Sequence, residues 1–415
     1  MRLMKDSGIE WIGLLPASWR LNRMGSMFYE RSEKVSDIDF PPLSVTMKGI
    51  IPQLEHVAKS DDHFNRKLVR SGDFAINSRS DRRNSCGFSF TDGSVSLINT
   101  VLVPLVSMNS RYYEYLFKTV QFADEYYRLG HGIVNDLWTT KWIDAKRIEL
   151  PLSSSEEQQI IADYLDKKCA EIDKAIDAAK ASIEEYKLYK KSVIFQAVTK
   201  GLDHNVPMKD SGELWLGSIP ENWDVVYPKA LFVPRKEKAR PDDIMLTASQ
   251  HYGMIPQDKF IKKQSYTPVA VGKGHDILKH VEPDDFVISM RSFQGGLEYC
   301  RIRGKMSSAY IALEVTDDRV NPEYFKWLLK SERYIEMLQS TTNLVRDGQA
   351  LRFANIIQGN LPLPPDAEQE RIASFLDLKC EEIDRAVEAK QQIIDELKAY
   401  KKSLIWEVVT GKREV

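Results

Sequence analysis

The chain has 415 residues, of which 43% are hydrophobic and 28% charged, and its formal net charge is −2. This length is too great for one ordinary hydrophobic core and fits two or three domains, and the near-neutral charge means that any basic surface must be local. No apolar run approaches the ~20 residues of a membrane-spanning helix, and the N-terminal sequence lacks the apolar segment of a secretory signal, so we expect a cytoplasmic protein.

The first element in the chain is a head segment that occurs twice. MKDSGIEWIGLLPASW begins at Met4, and MKDSGELWLGSIPENW begins at Met208. Self-similarity at a long spacing indicates two structural repeats. The repeated tryptophans are Trp11 and Trp19 in the first head and Trp215 and Trp223 in the second. We expect them to hold each head against the adjacent helices, with docking of a partner as the alternative.

Two divergent middle regions follow the heads. Short β-rich runs such as DFAINS, SLINTVLVPL, DFVISM and YIALEV alternate with Gly, Asp and Ser turns. Aromatic-rich helical stretches come next, RYYEYLFKTV in the first region and NPEYFKWLLKSERYIEML in the second. These patterns predict mixed α/β domains that share one fold but differ in surface.

Each repeat ends in a long segment with coiled-coil periodicity. One tail starts EEQQIIADYLDKKC at Glu156 and the other AEQERIASFLDLKC at Ala367. Steps of four and three residues select an apolar seam in each tail. The seam residues are Leu165, Ile172, Ile176 and Ile183 in the first tail and Leu376, Ile383, Val387, Ile394, Leu397 and Leu404 in the second. We predict two long helices that pack antiparallel and stop near Gly201 and Gly411.

The predicted fold class is α+β with an internal pseudo-two-fold repeat. Two globular mixed α/β domains, at residues 1–152 and 204–363, are separated by two long antiparallel coiled-coil helices at residues 153–203 and 364–415. About 40 helical residues span roughly 60 Å, far more than one domain core needs. We therefore interpret the helices as a spacer, with an oligomerisation stalk as the alternative.

The sequence contains none of the common catalytic or metal-binding motifs. It has no G-x-x-x-x-G-K-[ST] phosphate loop, no G-x-G-x-x-G after a strand and no G-x-S-x-G elbow. E-x-K triplets at Glu185, Glu388 and Glu396 lie in the coiled-coil tails, where such residues are expected on the solvent face. The cysteines, which form no C-x-x-C pair, are expected to be buried thiols. They are Cys86, Cys169, Cys300 and Cys380.

Polar loops at matching places in the two middle regions indicate binding to nucleic acid. Arg can bond both acceptors of guanine and Asn or Gln can do the same to adenine, whereas Lys and Thr suit phosphate contacts. The candidate DNA-binding residues are Asn77, Arg79, Arg82, Arg83, Asn84, Asn135, Thr139, Thr140 and Lys141 in the first region and Arg291, Ser292, Gln294, Asn343, Arg346, Gln349 and Arg352 in the second. A solvated loop is the alternative for each of them, but equivalent loops in both halves favour binding.

With these motifs the chain resembles the specificity subunit of type I restriction-modification enzymes. The resemblance is carried by the duplicated MKDSG-x-x-W-x-G-x-x-P-x-x-W heads, by DFxIS and SSAYIAL in the middle regions, and by LPLPP-x-x-EQ-x-x-IA-x-x-LD-x-K before the helical tail. It covers essentially the whole chain. It implies that the middle regions are target recognition domains, each of which reads one part of a bipartite site in double-stranded DNA.

The resemblance also implies partners and cofactors. The helices would set the gap between the half-sites and hold two modification (methyltransferase) subunits, which the restriction (translocase and nuclease) subunits then join. S-adenosylmethionine, ATP and magnesium would belong to those partners and not to this chain. The first region departs from the family's Ser-Pro-Ala-Tyr run with Ser96-Leu97-Ile98-Asn99, whereas the second keeps Ser307-Ser308-Ala309-Tyr310. The two domains are therefore expected to belong to different recognition subclasses.

Two other functions are compatible with the residues. The chain could be a single-chain DNA-modifying enzyme with an unrecognised site, which cutting or methylation of DNA without partners would identify. It could also be a coiled-coil interaction scaffold, which failure of its complex to bind any duplex would indicate.

Overall fold

The computed structural model describes residues 2–53, 63–132, 138–249, 252–264, 277–289, 297–341 and 353–415. The chain divides into two compact units. Unit 1 contains Met1–Lys180 and Gln391–Val415, and unit 2 contains Ala181–Lys390. Each unit therefore combines one head, one middle region and one part of each long helix, whereas the sequence division gave each helix a segment of its own.

Unit 1 is built from short strands and short helices. Its described strands are β1 (Met4–Asp6), β2 (Leu14–Pro16), β3 (Arg20–Arg23), β4 (Phe28–Arg31), β5 (Lys34–Val35), β6 (Leu43–Thr46), β7 (Gly49–Pro52), β8 (Arg66–Val69), β9 (Phe74–Asn77), β10 (Cys86–Phe88), β11 (Gly93–Ser96), β12 (Asn99–Pro104) and β13 (Glu149–Leu152). Its described helices are α1 (Met24–Met27), α2 (Ser110–Phe117), α3 (Val120–Arg128), α4 (Trp142–Ala145) and the beginning of the long helix α5 (Ser155–Lys200).

Unit 2 repeats this plan after the end of α5. Its described strands are β14 (Met208–Asp210), β15 (Ser218–Pro220), β16 (Asp224–Val226), β17 (Phe232–Pro234), β18 (Leu246–Ser249), β19 (Gly253–Pro256), β20 (Lys279–Val281), β21 (Phe286–Ser289), β22 (Glu298–Tyr299), β23 (Gly304–Met306), β24 (Tyr310–Val315) and β25 (Leu361–Leu363). Its described helices are α6 (Pro228–Leu231), α7 (Gln257–Gln264), α8 (Pro322–Leu328), α9 (Glu332–Ser340), α10 (Phe353–Ile356) and the beginning of α11 (Asp366–Val409).

The sheets of the two units correspond except for β5, which pairs with β8 in unit 1 and has no counterpart among the described strands of unit 2. A four-stranded antiparallel sheet has the order β10-β9-β12-β4 in unit 1 and β22-β21-β24-β17 in unit 2. Around it the pairs β1-β2, β3-β13, β6-β7 and β8-β11 correspond to β14-β15, β16-β25, β18-β19 and β20-β23. This matching topology agrees with the prediction that the two middle regions share one fold.

Buried aromatic rings form the core beneath the central sheet of each unit. They are Phe28, Phe74 and Phe117 in unit 1 and Phe232, Phe286 and Phe325 in unit 2. The rings of Phe74 and Phe117 lie 4.6 Å apart between centroids, and those of Phe232 and Phe325 lie 5.5 Å apart. Each such side chain contributes about 1.5–3 kcal/mol by leaving water, so these clusters fix the sheet on which the candidate loops are mounted.

The helical stretches of the middle regions are broken into shorter helices than the sequence indicated. RYYEYLFKTV supplies α2 only as far as Phe117, because the Thr119 hydroxyl accepts a hydrogen bond from the Phe122 amide and starts α3. The stretch from Asn321 divides into α8 and α9 on either side of a short turn. These breaks could not be predicted, because no glycine or proline marks them within the aromatic-rich stretches.

The long helices begin near acidic residues and end next to glycines. Acidic residues occupy the first turn of both α5 and α11, where they interact favourably with the helix dipole. Gly201 and Gly411 follow the two helices with φ of 76° and 68°, the left-handed conformation that favours glycine at a helix end. The predicted stops are confirmed.

The seam residues pack the two helices against each other within each unit. Buried are Leu165, Ile172, Ile176, Ile183, Leu376, Ile383, Ile394 and Leu404, whereas Val387 and Leu397 are half-buried. In unit 1 the Lys401 ammonium bonds to the Asp173 carboxylate at 2.6 and 2.7 Å. In unit 2 Lys190, a polar residue in the seam, bonds to Asp384 at 2.7 Å. Each pair joins an early position of one helix to a late position of the other, as antiparallel packing requires.

The described residues also bear on the thiols, on membranes and on metals. All four cysteines are free and buried, as expected, and burial raises the pKa of Cys86 and of Cys300 to about 12. No helix in the described ranges is long and apolar enough to cross a membrane. Nor do the described side chains bring together three or more His, Cys, Asp or Glu residues in an arrangement that could hold a metal ion.

Candidate nucleic-acid interface

Each head is fixed to a long helix by a buried tryptophan. The Trp19 indole donates a hydrogen bond from Nε1 to Oε2 of Glu157 at 2.7 Å, and Trp223 donates the matching bond to Glu368 at 3.0 Å. Both glutamates lie in the first turn of their helix. These contacts agree with the interpretation that the heads are held against the helices, and burial makes both indoles inaccessible to a partner.

A second pair of matching contacts fixes each middle region to a helix end. The Tyr112 hydroxyl donates to the Val409 carbonyl at 2.8 Å, and the Tyr324 hydroxyl donates to the Val198 carbonyl at 2.8 Å. Burial raises the pKa of both tyrosines well above the usual range, so they remain neutral donors. No sequence pattern indicated these tyrosines, because a bond between distant segments leaves no local signal. Each middle region is thus joined to the end of a long helix.

The arginine-rich loop of unit 1 connects β9 to β10 and is held by its two asparagines. The buried Asn77 accepts a hydrogen bond from the Arg79 amide at 3.1 Å. Asn84 adopts the left-handed conformation with φ of 63° and donates to the Lys118 carbonyl at 2.7 Å. Both asparagines were predicted from the sequence to contact DNA. Because Asn77 is buried and both side chains bond to backbone, the structure gives them a positioning role.

The three arginines of this loop are held to different degrees. Arg79 pairs with Asp81 at 3.2 Å, and Arg82 reaches the same carboxylate at 3.7 Å. Arg83 pairs with Asp124, and its guanidinium lies 5.5 Å from the centre of the Tyr127 ring. Of the three, Arg82 has the most exposed side chain, at 68%, and an exposed pair of this length contributes little stability. Arg82 is therefore the arginine most available to a ligand.

The second predicted cluster of unit 1 lies beside the arginine loop. Thr139 forms antiparallel bridges with both His131 and Arg79, so the structure brings together two loops that are distant in sequence. Lys141 is exposed at the start of α4. Thr140 is only 1% exposed and its hydroxyl donates to the Tyr126 carbonyl at 3.0 Å. The expectation that Thr140 contacts a phosphate is not compatible with this burial, and we remove it from the candidate set.

The other candidates lie outside the described residues. They are Asn135, Arg291, Ser292, Gln294, Asn343, Arg346, Gln349 and Arg352.

A groove of about 750 Å³ lies in unit 1 between the β6–β7 hairpin and the arginine loop. Lys48, Arg82 and Arg83 supply positive charge along its walls, and Gln53 adds a neutral donor and acceptor. Asp81 is the acidic residue among its described lining residues. This mixture of exposed cations and neutral hydrogen-bonding groups suits a nucleic acid. The cations can contact its phosphates, and the neutral groups can bond to donors and acceptors on the edges of its bases.

Unit 2 has a cavity of about 780 Å³ beside its own hairpin, lined in part by Tyr252, Tyr299, Arg301 and Lys330. It differs from the groove of unit 1 because acidic side chains of α11 also line it, among them Asp384. The charge on this surface is therefore mixed.

A buried histidine lies in β20, one of the outer strands of unit 2. His280 is fully buried, with Nδ1 at 2.7 Å from Asp243 and Nε2 at 2.7 Å from Glu282. Both ring nitrogens therefore lie within hydrogen-bond distance of a carboxylate oxygen. Arg303 pairs with the other oxygen of Asp243 at 3.2 Å. No local pattern distinguishes this histidine, which occupies the place of Leu68 in unit 1.

Known proteins provide an independent comparison. No protein-family model matches the chain. The putative type I restriction enzyme MjaX specificity subunit of Methanocaldococcus jannaschii is 24% identical over 284 residues, which are 65% of this chain and 60% of that protein. The type I restriction enzyme EcoBI specificity subunit of Escherichia coli is 26% identical over 132 residues, which are 32% of this chain and 27% of that protein. The chain thus matches less than two thirds of the length of these curated relatives.

Solved structures extend the similarity to nearly the whole chain. A chain from a structure that addresses complex assembly and conformational transition of the type I R-M system aligns with a TM-score of 0.71, 15% identity and coverage of 95% of this chain and 98% of that chain. The HsdS subunit from Thermoanaerobacter tengcongensis aligns with a TM-score of 0.55, 15% identity and coverage of 96% and 98%. The chain is similar to type I restriction specificity subunits.

The similarity to specificity subunits confirms the resemblance that the repeated head and tail motifs indicated. At 15% identity the structural alignments establish the fold. That fold combines helices and strands, as predicted for an α+β chain.

Proposed function

We propose that the chain is the DNA-recognition subunit of a type I restriction-modification system. The middle regions of units 1 and 2 would be its target recognition domains, and each would read one half of a bipartite site in double-stranded DNA. The observation that carries this proposal is that two units with one topology present different polar surfaces. Two readers built on one frame suit a target with two unlike halves.

The groove of unit 1 supports the DNA-binding part of the proposal. Exposed Arg82 and Lys48 lie on walls that are otherwise lined mainly by neutral side chains, and phosphate contacts from such cations supply most of the affinity for a duplex. Lys141 and Thr139 lie next to the arginine loop and would contact the backbone. The net charge of the chain is −2, so this cationic surface is a local feature.

The long helices would hold the modification subunits and set the gap between the half-sites. Several large apolar side chains on these helices face solvent, although a soluble surface helix usually exposes polar ones. They are Ile160, Leu188, Tyr189, Phe375, Leu378, Ile393 and Tyr400. Methyltransferase subunits would cover them, two copies being expected from the two units, and restriction subunits would join that assembly.

Catalysis would belong to the partners. S-adenosylmethionine would bind the modification subunits, and ATP and magnesium the restriction subunits, whereas this chain would supply only the choice of sequence. Purified chain without partners is therefore expected neither to cut nor to methylate DNA. A chain that modified DNA alone would instead be the single-chain enzyme of the alternative reading.

The decisive experiment is to map N6-methyladenine across the genome of a host that carries this chain and its partner subunits. A single bipartite motif is expected, which disappears when the gene for this chain is removed. Methylation that persists without the chain, or that shows no motif, would contradict the proposal.

The spacer role of the helices has its own test. Adding one heptad to both α5 and α11 lengthens each by ~10 Å and should widen the unread gap by roughly 3 bp. The two half-sites themselves should not change. A gap of unchanged length in the methylation map would refute the spacer role and leave the DNA-recognition role standing.

A further inference from the structure

The β6–β7 hairpin of unit 1 and the β18–β19 hairpin of unit 2 are two copies of one element. Their strands read LSVT and GIIP in the first hairpin and LTAS and GMIP in the second. The pairing register is the same, from Leu43 opposite Pro52 and from Leu246 opposite Pro256. The strands are similar in both units, but the tips that join them differ in sequence and in length.

The tips have no residues in common. Two residues, Met47 and Lys48, join the strands in unit 1, whereas three residues, Gln-His-Tyr at positions 250–252, join them in unit 2. Gln250 and His251 lie outside the described residues, so the structural argument concerns unit 1. A constant frame with a variable tip is the pattern expected of an element whose tip determines specificity.

The tip of unit 1 is held in place from below. Leu43 is buried in the outer core of the unit. Gly49 has φ of 109°, a conformation that glycine adopts without strain and that the tight turn requires. The Thr46 hydroxyl donates to the Gly49 carbonyl at 2.9 Å and accepts from the Lys48 amide at 3.1 Å. A preorganised turn loses little conformational entropy when it binds.

The side chains of this tip project into solvent at the edge of the groove. Met47 is 69% exposed, Lys48 is also exposed, and both line the groove together with Arg82. An exposed methionine contributes nothing to the core. A two-stranded antiparallel ribbon fits the major groove of B-DNA, where a lysine can donate to guanine O6 and N7 and an apolar side chain can contact the methyl group of thymine.

We propose that Met47 and Lys48 read bases in the major groove and set the sequence preference of unit 1, with Arg82 contacting the duplex from the opposite wall. This inference rests on the proposed DNA-recognition function and names the side chains that carry it. Lys48 would select guanine, and Met47 would select a neighbouring thymine. The arginine loop, which the sequence indicated as the reading element, would then share that role with the hairpin.

The test is to exchange the tip. In the full chain, assembled with its modification subunits, Met47-Lys48 is replaced by Gln-His-Tyr, and the complex selects duplexes from a randomised library. The half-site read by unit 1 should change, whereas the half-site read by unit 2 serves as an internal control and should not. The same first half-site in both complexes would overturn the inference.

Point variants make the test independent of how well the grafted tip folds. Lys48→Ala should lower the preference for guanine at one position by roughly tenfold or more, and Met47→Ala should reduce the preference for thymine at a neighbouring position. Lys174→Ala removes the same charge from α5, outside the lining of the groove, and should leave both half-sites unchanged. If Lys48→Ala weakens binding to all sequences equally, Lys48 contacts phosphate and the inference is wrong.

The unsubstituted complex separates the two levels of the proposal. If it selects no bipartite sequence, DNA recognition by this chain is refuted, and the inference is refuted with it. If it selects one, but the tip variants select the same one, only the assignment of the hairpin is refuted.

Discussion

Units 1 and 2 have the same supporting frame but differ in the layer beyond the central sheet. In the frame, Arg31 bonds to Asp73 at 2.8 Å and Arg235 bonds to Asp285 at 2.7 Å, just as the Trp–Glu and Tyr–carbonyl contacts recur in both units. In the outer layer, β8 reads RKLV and β20 reads KHV, and the buried position carries a leucine in one unit and His280 in the other.

This difference shows which parts of the fold are free to change. The frame contacts join segments that are far apart in sequence, so a change in one partner leaves a buried polar group unpaired. The outer layer packs locally, and an apolar side chain can be replaced there by a charged cluster when the neighbours change with it. In unit 2 these changed neighbours are Asp243, Glu282 and Arg303, which form hydrogen bonds and an ion pair around His280. Variation between the two surfaces is therefore compatible with a constant frame.

The largest effect is expected from removing the two tryptophans that join the heads to the long helices. Trp19→Ala and Trp223→Ala should each lower the free energy of unfolding of their own unit by about 3–5 kcal/mol, because each leaves a cavity and removes a hydrogen bond to a glutamate. Hydrogen exchange of peptides from each unit measures the loss, and in each variant the unit without the substitution serves as the control. Trp→Phe at either site keeps most of the volume and should cost clearly less.

Equal losses at the two sites are the outcome that the shared frame requires. If Trp19→Ala were costly and Trp223→Ala nearly neutral, the two frames would not be equivalent in energy, in spite of their matching hydrogen bonds.

A smaller effect is expected from replacing His280 of unit 2 with leucine, the residue at the matching position of unit 1. His280→Leu should destabilise unit 2 by about 3 kcal/mol, because it removes the side chain to which both Asp243 and Glu282 are hydrogen-bonded and leaves a buried carboxylate oxygen without that partner. Urea unfolding monitored by hydrogen exchange in unit 2 measures the loss. Adding Asp243→Asn to His280→Leu removes the more deeply buried of the two charges and should recover part of the stability. A single His280→Leu variant as stable as the parent chain would show that the histidine does not stabilise the carboxylates.

Much of the frame can be read from the sequence because its signals are local and periodic. The seam positions from Leu165 to Ile183 follow from three- and four-residue steps, and the helix stops follow from Gly201 and Gly411. The bonds of Tyr112 and Tyr324 to helix-end carbonyls could not be predicted, because each joins residues more than a hundred positions apart. The hairpin at residues 43–52 was missed because its tip lacks the Asn-Gly or Asp-Gly pair that marks a tight turn.

The candidate surface was less accessible to prediction than the frame. A polar residue in a loop can face solvent or bond to the backbone, and the letter alone does not distinguish the two. Thr140 and Asn77 are buried, whereas Arg82 is exposed, although all three were selected as polar residues in loops. Met47 and Lys48 gave no signal, because an exposed methionine and an exposed lysine are individually ordinary in any soluble protein.

The smallest effect is expected at the ion pairs between the long helices, where the units should again behave alike. Lys190 bonds to Asp384 in unit 2 and Lys401 bonds to Asp173 in unit 1, and the aspartates are 60% and 55% exposed. Pairs this exposed are screened by water, so a double-mutant cycle with alanine at both partners should give a coupling of about 0.5 kcal/mol in each unit, falling further at 1 M salt. A coupling of several kcal/mol that resists salt would mean that these lysines are buried by a partner in solution.

Because each lysine lies in the seam, its aliphatic stem packs between the helices even when its charge contributes little. Lys→Met at both positions should therefore retain most of the stability that Lys→Ala loses, which distinguishes packing from charge.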